Sequence, residues 1–282
     1  MNFDKLRSTV LPKMIGAGVN TLSIANKRKA ASIALDLFRT PRKGEVKSYQ
    51  KKFLAKFDSV ELSANGRSVM TYDNKKQGER VLFCHGWESN SFRWRKLYKV
   101  LKKTNVNVIM VDAPAHGRSG SDRFDAIRYA DYINTAVDYY KPSTIVGHSI
   151  GGYAMLYSAA KYAPPSVQQL IVLASPDKFT DITDRYFKLL GYSARVRNAY
   201  DDLVEEIFGG TPESFSVARM ASTLKIPGLI IHDRDDMINE YYEGEAIHSA
   251  WPSSRLVSTS GLGHGLQDPI VYEEIMQYLN LD

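Results

Sequence analysis

The chain has 282 residues, 44% of them hydrophobic and 24% charged, an ordinary balance that suits one large globular α/β domain or two small ones. Its apolar runs, such as residues 108–111 and 229–231, fall far short of the roughly 20 residues that cross a bilayer. A single cysteine, Cys84, excludes an intramolecular disulfide and, inside the apolar run Val81-Leu82-Phe83-Cys84, is expected as a buried thiol.

The net charge of +6 is unevenly spread. Residues 1–56 hold 13 Lys and Arg against Asp4, Asp36 and Glu45, a balance of +10 that leaves −4 for the rest. Helical spacing at Leu11, Met14, Ile15 and Leu22, a second stretch over residues 30–38 and the stop at Thr40-Pro41 describe a basic N-terminal helical extension. Lys13, Gly16 and Gly18 break up the apolar run that a signal peptide needs, so a cytoplasmic location is expected. Two readings of the extension stand: helices packed on the main domain with basic faces in water, or peripheral contact with an anionic membrane surface. No nucleic-acid motif accompanies the charge, and no nucleic-acid partner is expected.

From residue 57 the pattern becomes strand–helix alternation. Residues 57–62 alternate, Asn65-Gly66 is a hairpin turn signal, and residues 67–72 return antiparallel. Short apolar runs follow at 80–84, 107–111, 144–146, 169–173, 229–231 and 255–257, as a parallel sheet covered on both faces requires. Helical stretches fall at 92–102, 124–140, 151–163, 241–250 and 269–281. The expected fold is a doubly wound, mostly parallel sheet of about eight strands, residues 57–282, with helices on both faces. Residues 177–225 exceed what one crossover needs. Rich in aromatic residues that include Tyr186 and Phe187, they read as a helical lid insertion, with those two rings as candidate walls of an apolar substrate pocket.

Thr144-Ile145-Val146-Gly147-His148-Ser149-Ile150-Gly151-Gly152 reads as strand, sharp turn and helix. Such a turn exposes Ser149 at the carboxyl end of a strand, tolerates little but glycine two positions away on either side, and aims the Ile150 N–H at a developing oxyanion. With this elbow the chain resembles the α/β-hydrolase superfamily from about Phe57 to the end. The resemblance implies that Phe83-Cys84-His85-Gly86-Trp87 supplies the second oxyanion amide from Trp87, whose ring also borders the substrate, and that His85 is structural. It implies structural roles for Asp112 and His116 in Asp112-Ala113-Pro114-Ala115-His116-Gly117-Arg118-Ser119. Residues 87–94 are further similar to a subgroup of poorly characterised bacterial esterase-like hydrolases.

The family's chain order is nucleophile, acid, histidine. His232-Asp233-Arg234-Asp235-Asp236-Met237-Ile238 matches the acid loop with Asp236 as the triad acid, although Asp233 stands where the family has Gly. Asp235, Asp233 and, more remotely, Asp177 are alternatives. Gly261-Leu262-Gly263-His264-Gly265 follows the last strand and makes His264 the general base. His148, His232 and His248 are read as turn neighbour, strand terminus and exposed helix residue.

The function implied is a serine hydrolase cleaving a small, apolar carboxylic ester or thioester through an acyl-enzyme, with no cofactor and no metal. An acyltransferase, lyase or cofactor-free haloperoxidase would use the same triad. A non-catalytic ligand sensor and a membrane-surface protein are the readings of another class. The sequence does not specify an oligomeric state.

Overall fold

The structure is a computed structural model and describes residues 3–281; residues 1, 2 and 282, at the outer ends of the expected extension and hydrolase domain, lie outside it. Three helices come first: α1 (Phe3–Ala25), α2 (Lys27–Arg39) and α3 (Ser48–Leu54). The strands are β1 (Asp58–Ala64), β2 (Arg67–Asp73), β3 (Arg80–Cys84), β4 (Asn107–Val111), β5 (Thr144–His148), β6 (Gln169–Leu173), β7 (Gly228–Asp233) and β8 (Ser254–Thr259). Between and after them lie α4 (Arg95–Leu101), α5 (Ala126–Tyr140), α6 (Ile150–Tyr162), α7 (Phe179–Leu190), α8 (Ala194–Phe208), α9 (Val217–Ala221), α10 (Tyr241–Ala250) and α11 (Pro269–Tyr278). None of the helices among the described residues is long and apolar enough to cross a membrane.

The chain divides into two compact units: residues up to Thr40 with Lys178–Ser216, and Pro41–Asp177 with the chain from Val217. The second unit holds one eight-stranded sheet in the order β1-β2-β4-β3-β5-β6-β7-β8. β1 pairs antiparallel with β2, and β2 antiparallel with β4; every later pairing is parallel. The β1–β2 hairpin closes on Asn65 and Gly66, both at positive φ, as an Asn-Gly turn favours. Side chains along each central strand alternate between two cores. Leu82, Cys84, Ile109 and Val111 join one, and Val81, Phe83, Val108 and Met110 the other. This two-sided burial accounts for the continuous apolar runs in the sequence. It also buries Cys84, whose thiol pKa is pushed up by desolvation.

The boundaries expected at residues 56 and 177–225 fall elsewhere. Residues 41–56 belong to the sheet unit: Glu45 bridges Gly117, Asn90 Nδ2 donates to the Gly44 and Glu45 carbonyls, and Leu54 enters the core. The insertion proper is residues 178–216. Its ends pair at Lys178 and Ser216, whereas α9 buries Val217, Ala218 and Ala221 in the sheet's core.

The other unit is helical and joins segments distant in sequence. α1 and α2 pack on α7 and α8 around Val19, Ala31, Leu35, Val196, Tyr200 and Val204. A Cβ on Gly16 would stand 1.8 Å from the Leu190 carbonyl oxygen, so only glycine lets α1 approach the end of α7. Lys13 Nζ donates to that same helix end at Lys188 O, and Asn20 both donates to Gly191 O and accepts from Ser193 N. Tyr186 and Phe187, the expected pocket walls, lie in this unit. Phe187 is 7% exposed and ringed edge-to-face by Tyr186, Tyr192 and Tyr200. The Tyr186 ring lies 5.0 Å from Phe38, and its hydroxyl donates to Ala34 O. These aromatic residues close the helical unit's own core.

Candidate active site

The site lies where strand order reverses, between β3 and β5 at their carboxyl ends, the general position of ligand sites in open α/β sheets. β5 ends at His148, Ser149 adopts φ 55° and ψ −129°, and α6 begins at Ile150. Crowding explains the glycines around this strained turn. A Cβ on Gly147 would stand 2.6 Å from Gly152 Cα, and one on Gly151 2.4 Å from His85 O. The turn is tied down by Ser149 N–H to Leu173 O at 2.8 Å and by Ser149 O accepting from Gly152 and Tyr153. Ser149 as a whole is buried, 8% exposed.

His264 arrives on the turn Gly263–Gly265 after β8. Its Nε2 lies 3.1 Å from Ser149 Oγ, and its Nδ1 lies 2.8 Å from Asp236 Oδ2. A carboxylate only accepts, so Nδ1 carries the proton and Nε2 is free to accept from the serine hydroxyl. Asp236 is buried, and its Oδ1 accepts from the Ile238 and Asn239 amides at 2.8 and 3.0 Å. His232 Nε2 faces Oδ2 at 3.6 Å while donating to Asn239 O. Burial alone would raise the Asp236 pKa. The nearby imidazoles of His232 and His264, with the Ile238 amide, outweigh it and hold the carboxyl well below its ordinary range.

The other candidate acids have different partners. Asp233 Oδ2 accepts from Thr259 Oγ1 at 2.6 Å and Leu262 N at 3.0 Å, and Asp235 Oδ2 accepts from Gly261 N at 2.8 Å. Both hold the backbone of the histidine loop. The aspartate standing in place of the family's glycine therefore anchors the loop that carries His264. Asp177 Oδ1 accepts from Ala218 N at the start of α9.

Of the two candidate oxyanion amides, Ile150 N–H is the first of α6 and has no acceptor within its helix by construction. The Gly86–Trp87 main chain passes beside the nucleophile, since a Cβ on Gly86 would stand 3.0 Å from Ser149 Cβ. The Trp87 ring is 38% exposed and packs edge-to-face on His116 and Phe124, each 5.2 Å away. Behind it, neutral imidazoles staple the loops. His85 donates from Nδ1 to Gly86 O and accepts at Nε2 from Ala113 N; His116 donates to Pro114 O and accepts from Glu88 N. Burial pushes both pKa values down to about 4. Asp112 accepts from Ser91, Arg118 and Tyr72.

Sequence reasoning missed two supports of the His264 loop. His148 Nε2 donates to His264 O at 2.9 Å, and Arg93 Nη2 to Gly265 O at 2.8 Å. Neither residue type signals such a role, and only the adjacency of His148 to Ser149 could have drawn attention to it. His248, expected exposed, is half-buried against Ser254 Oγ. Among the described residues no group of three or more His, Cys, Asp or Glu side chains is arranged to hold a metal.

Comparison with known proteins agrees with this architecture. The alpha/beta hydrolase fold family profile matches residues 79–199. The bifunctional esterase/perhydrolase DCH of Acinetobacter calcoaceticus is 24% identical over 234 residues, 66% of this chain and 85% of that protein. A pimeloyl-[acyl-carrier protein] methyl ester esterase of Neisseria meningitidis is 26% identical over 225 residues, 66% of this chain and 86% of its own length. The crystal structure of a putative lipase from Acinetobacter baumannii superposes with a TM-score of 0.62 at 18% identity, covering 83% of this chain and 96% of that one. The chain has the α/β-hydrolase fold, and residues 79–199 of it match that fold family's profile. By that class it is a hydrolase enzyme.

Proposed function

We propose that the protein is a serine hydrolase that cleaves a small carboxylic ester or thioester through an acyl-enzyme. The observation that carries this reading is the hydrogen-bonded line from Asp236 Oδ2 through His264 to Ser149 Oγ, at 2.8 and 3.1 Å, on a sharp turn between the end of β5 and the start of α6. His264 Nε2 takes the hydroxyl proton as Oγ attacks the carbonyl carbon. The Asp236 carboxylate fixes the tautomer and stabilises the imidazolium. The amides of Trp87 and Ile150 receive the oxyanion, each donor contributing about 3–4 kcal/mol at the transition state. His264 then protonates the departing alcohol or thiol, and a water activated by the same nitrogen releases the acid and restores Ser149. The esterase names of the two relatives support an ester as the bond attacked.

A second reading hands the same acyl group to peroxide or an alcohol in place of water. The perhydrolase half of the Acinetobacter calcoaceticus relative's name supports it. A panel of p-nitrophenyl esters of increasing chain length, together with a fluorophosphonate label, tests the main reading on wild type and Ser149→Ala. Wild type should turn over at least one ester and take the label, and Ser149→Ala should lose at least about 10⁴ in kcat and all labelling. A wild-type chain inert to the whole panel and to the label would overturn the proposal.

A further inference from the structure

Arg93, on the 3-10 turn Ser91–Trp94, has no counter-charge among the described residues. Its Nη2 holds Gly265 O, its Cζ lies 5.3 Å from the Trp94 ring centroid, and its Nε is buried with no acceptor among the described residues. No carboxylate among the described residues lies within ion-pair distance of it, and burial pushes its pKa down to about 9. Arg93 is half-buried, and a guanidinium nitrogen buried without a partner is costly, a cost recovered when an anion reaches it.

Arg93 also lines a cavity of about 360 Å³, at the small end of the roughly 300–1,000 Å³ range of ligand clefts. Lys43, Lys47 and Arg95 line it too, against only Glu45 and Glu88. None of these three further cations has an ion-pair partner among the described residues, and the Arg95 Cζ lies over the Phe92 ring, 4.5 Å from its centroid. Glu88 Oε1 is already engaged by Arg42 N–H. The frame is rigid. Asn90 Nδ2 donates to Gly44 O, Glu45 O and Gln50 Oε1, which fastens the segment bearing Lys43 and Lys47 to the one bearing Arg93 and Arg95.

We propose that this cavity binds a small anion of the phosphate or carboxylate class, with Arg93 and Arg95 as its principal donors. The planar guanidinium matches a tetrahedral or planar oxyanion bidentately, where a lysine offers only a point charge. The pocket has a connection to the catalytic loop, because the arginine that receives the anion already holds the carbonyl one residue beyond His264. The binding claim does not rest on the hydrolase reading.

The test is thermal unfolding of the full chain titrated with inorganic phosphate, phenyl phosphate and acetate, each against sodium chloride at matched ionic strength. A saturable rise in midpoint is expected with at least one of the three, about 5 °C at a hundredfold excess over Kd. The ranking then distinguishes free phosphate, an organic phosphomonoester and a carboxylate as the source. Arg93→Gln and Arg95→Gln should abolish the shift. Because Arg93→Gln also loosens the loop, Arg95→Gln, which leaves Gly265 held, decides the outcome. No specific shift with any of the three anions, or a wild-type shift in Arg95→Gln, overturns the proposal.

Discussion

His148 Nε2 donates to the carbonyl oxygen of His264 at 2.9 Å, so the residue before the candidate nucleophile holds the main chain of the candidate base. Their rings also lie 4.8 Å apart. A carbonyl only accepts, so His148 is the Nε2–H tautomer, and burial keeps it neutral by lowering its pKa far below the ordinary histidine value. The loop it holds has glycines at positive φ at 261 and 263 and would otherwise be slack. Side chains fix it at successive points: Asp235 at Gly261 N, Asp233 at Leu262 N, His148 at His264 O and Arg93 at Gly265 O. Each anchor comes from a different turn of the same sheet unit or from the acid loop, which is how a flexible segment delivers an imidazole at a fixed distance.

His148→Ala should lower kcat on an ester substrate about 10–100-fold with little change in KM, the scale of losing one buried hydrogen bond of about 1–3 kcal/mol. His148→Gln, whose amide can reach the same carbonyl, should recover much of that loss. The fluorophosphonate labelling rate should follow kcat in both variants. Equal activity in Ala, Gln and wild type would refute the positioning role.

The three neighbouring aspartates should separate by effect. Asp236→Asn should cost about 10⁴ in kcat, because the amide favours the wrong imidazole tautomer. Asp233→Asn keeps an oxygen that could accept one of the two hydrogen bonds now made to Oδ2, and should cost roughly tenfold together with a lower unfolding midpoint. Steady-state kinetics on both variants checks the order. A larger loss in Asp233→Asn than in Asp236→Asn would move the acid to residue 233.

Much of this was legible in the sequence for a physical reason. The elbow could be read because a turn this tight restricts residue type at fixed offsets from Ser149, and the sheet because two-sided burial leaves continuous apolar runs. What failed to show was anything that depends on which distant segment covers which. Phe187 announces an apolar face but not that α2 and α8 enclose it, and Lys13 meets Lys188 across 175 residues of chain. Gly44 and Glu45 looked like part of the basic extension because the side chain that captures them, Asn90, belongs to another segment. Asp233 and Asp235 were undecided for the same reason, since their acceptor oxygens serve a loop that begins 26 residues later.

Gly151→Ala should damage both stability and activity. Its Cβ would meet His85 O at 2.4 Å and Cys84 O at 2.5 Å, and both are main-chain atoms at the end of a central strand that cannot yield as a side-chain tip would. Overpacking of this kind costs about 1–3 kcal/mol. It would also push the first turn of α6, and the Ile150 N–H, away from β3. A lower urea midpoint with a reduced labelling rate at Ser149 is expected, and a variant as stable and as reactive as wild type would refute the close approach.

The buried imidazoles set the acid limit of stability. His85 and His116 titrate near 6.5 when unfolded and about 4 when folded, because burial disfavours their charged forms. Between those values the unfolded chain binds protons that the folded chain refuses. Stability is therefore full above pH 6.5 and is lost as pH falls towards 4, by about 3 kcal/mol for each histidine. His148 acts in the same direction. Asp112 opposes them: burial raises its pKa, so the folded state takes that proton earlier and regains part of the loss at lower pH. Urea midpoints at pH 7, 6, 5 and 4.5 should fall steadily in wild type. In His116→Gln, whose amide can still accept from Glu88 N–H, the slope should be shallower by about one proton, or ~1.4 kcal/mol per pH unit. An unchanged slope in that variant would show that His116 takes up its proton alike in the folded and unfolded chain, and would overturn its acceptor role toward Glu88 N–H.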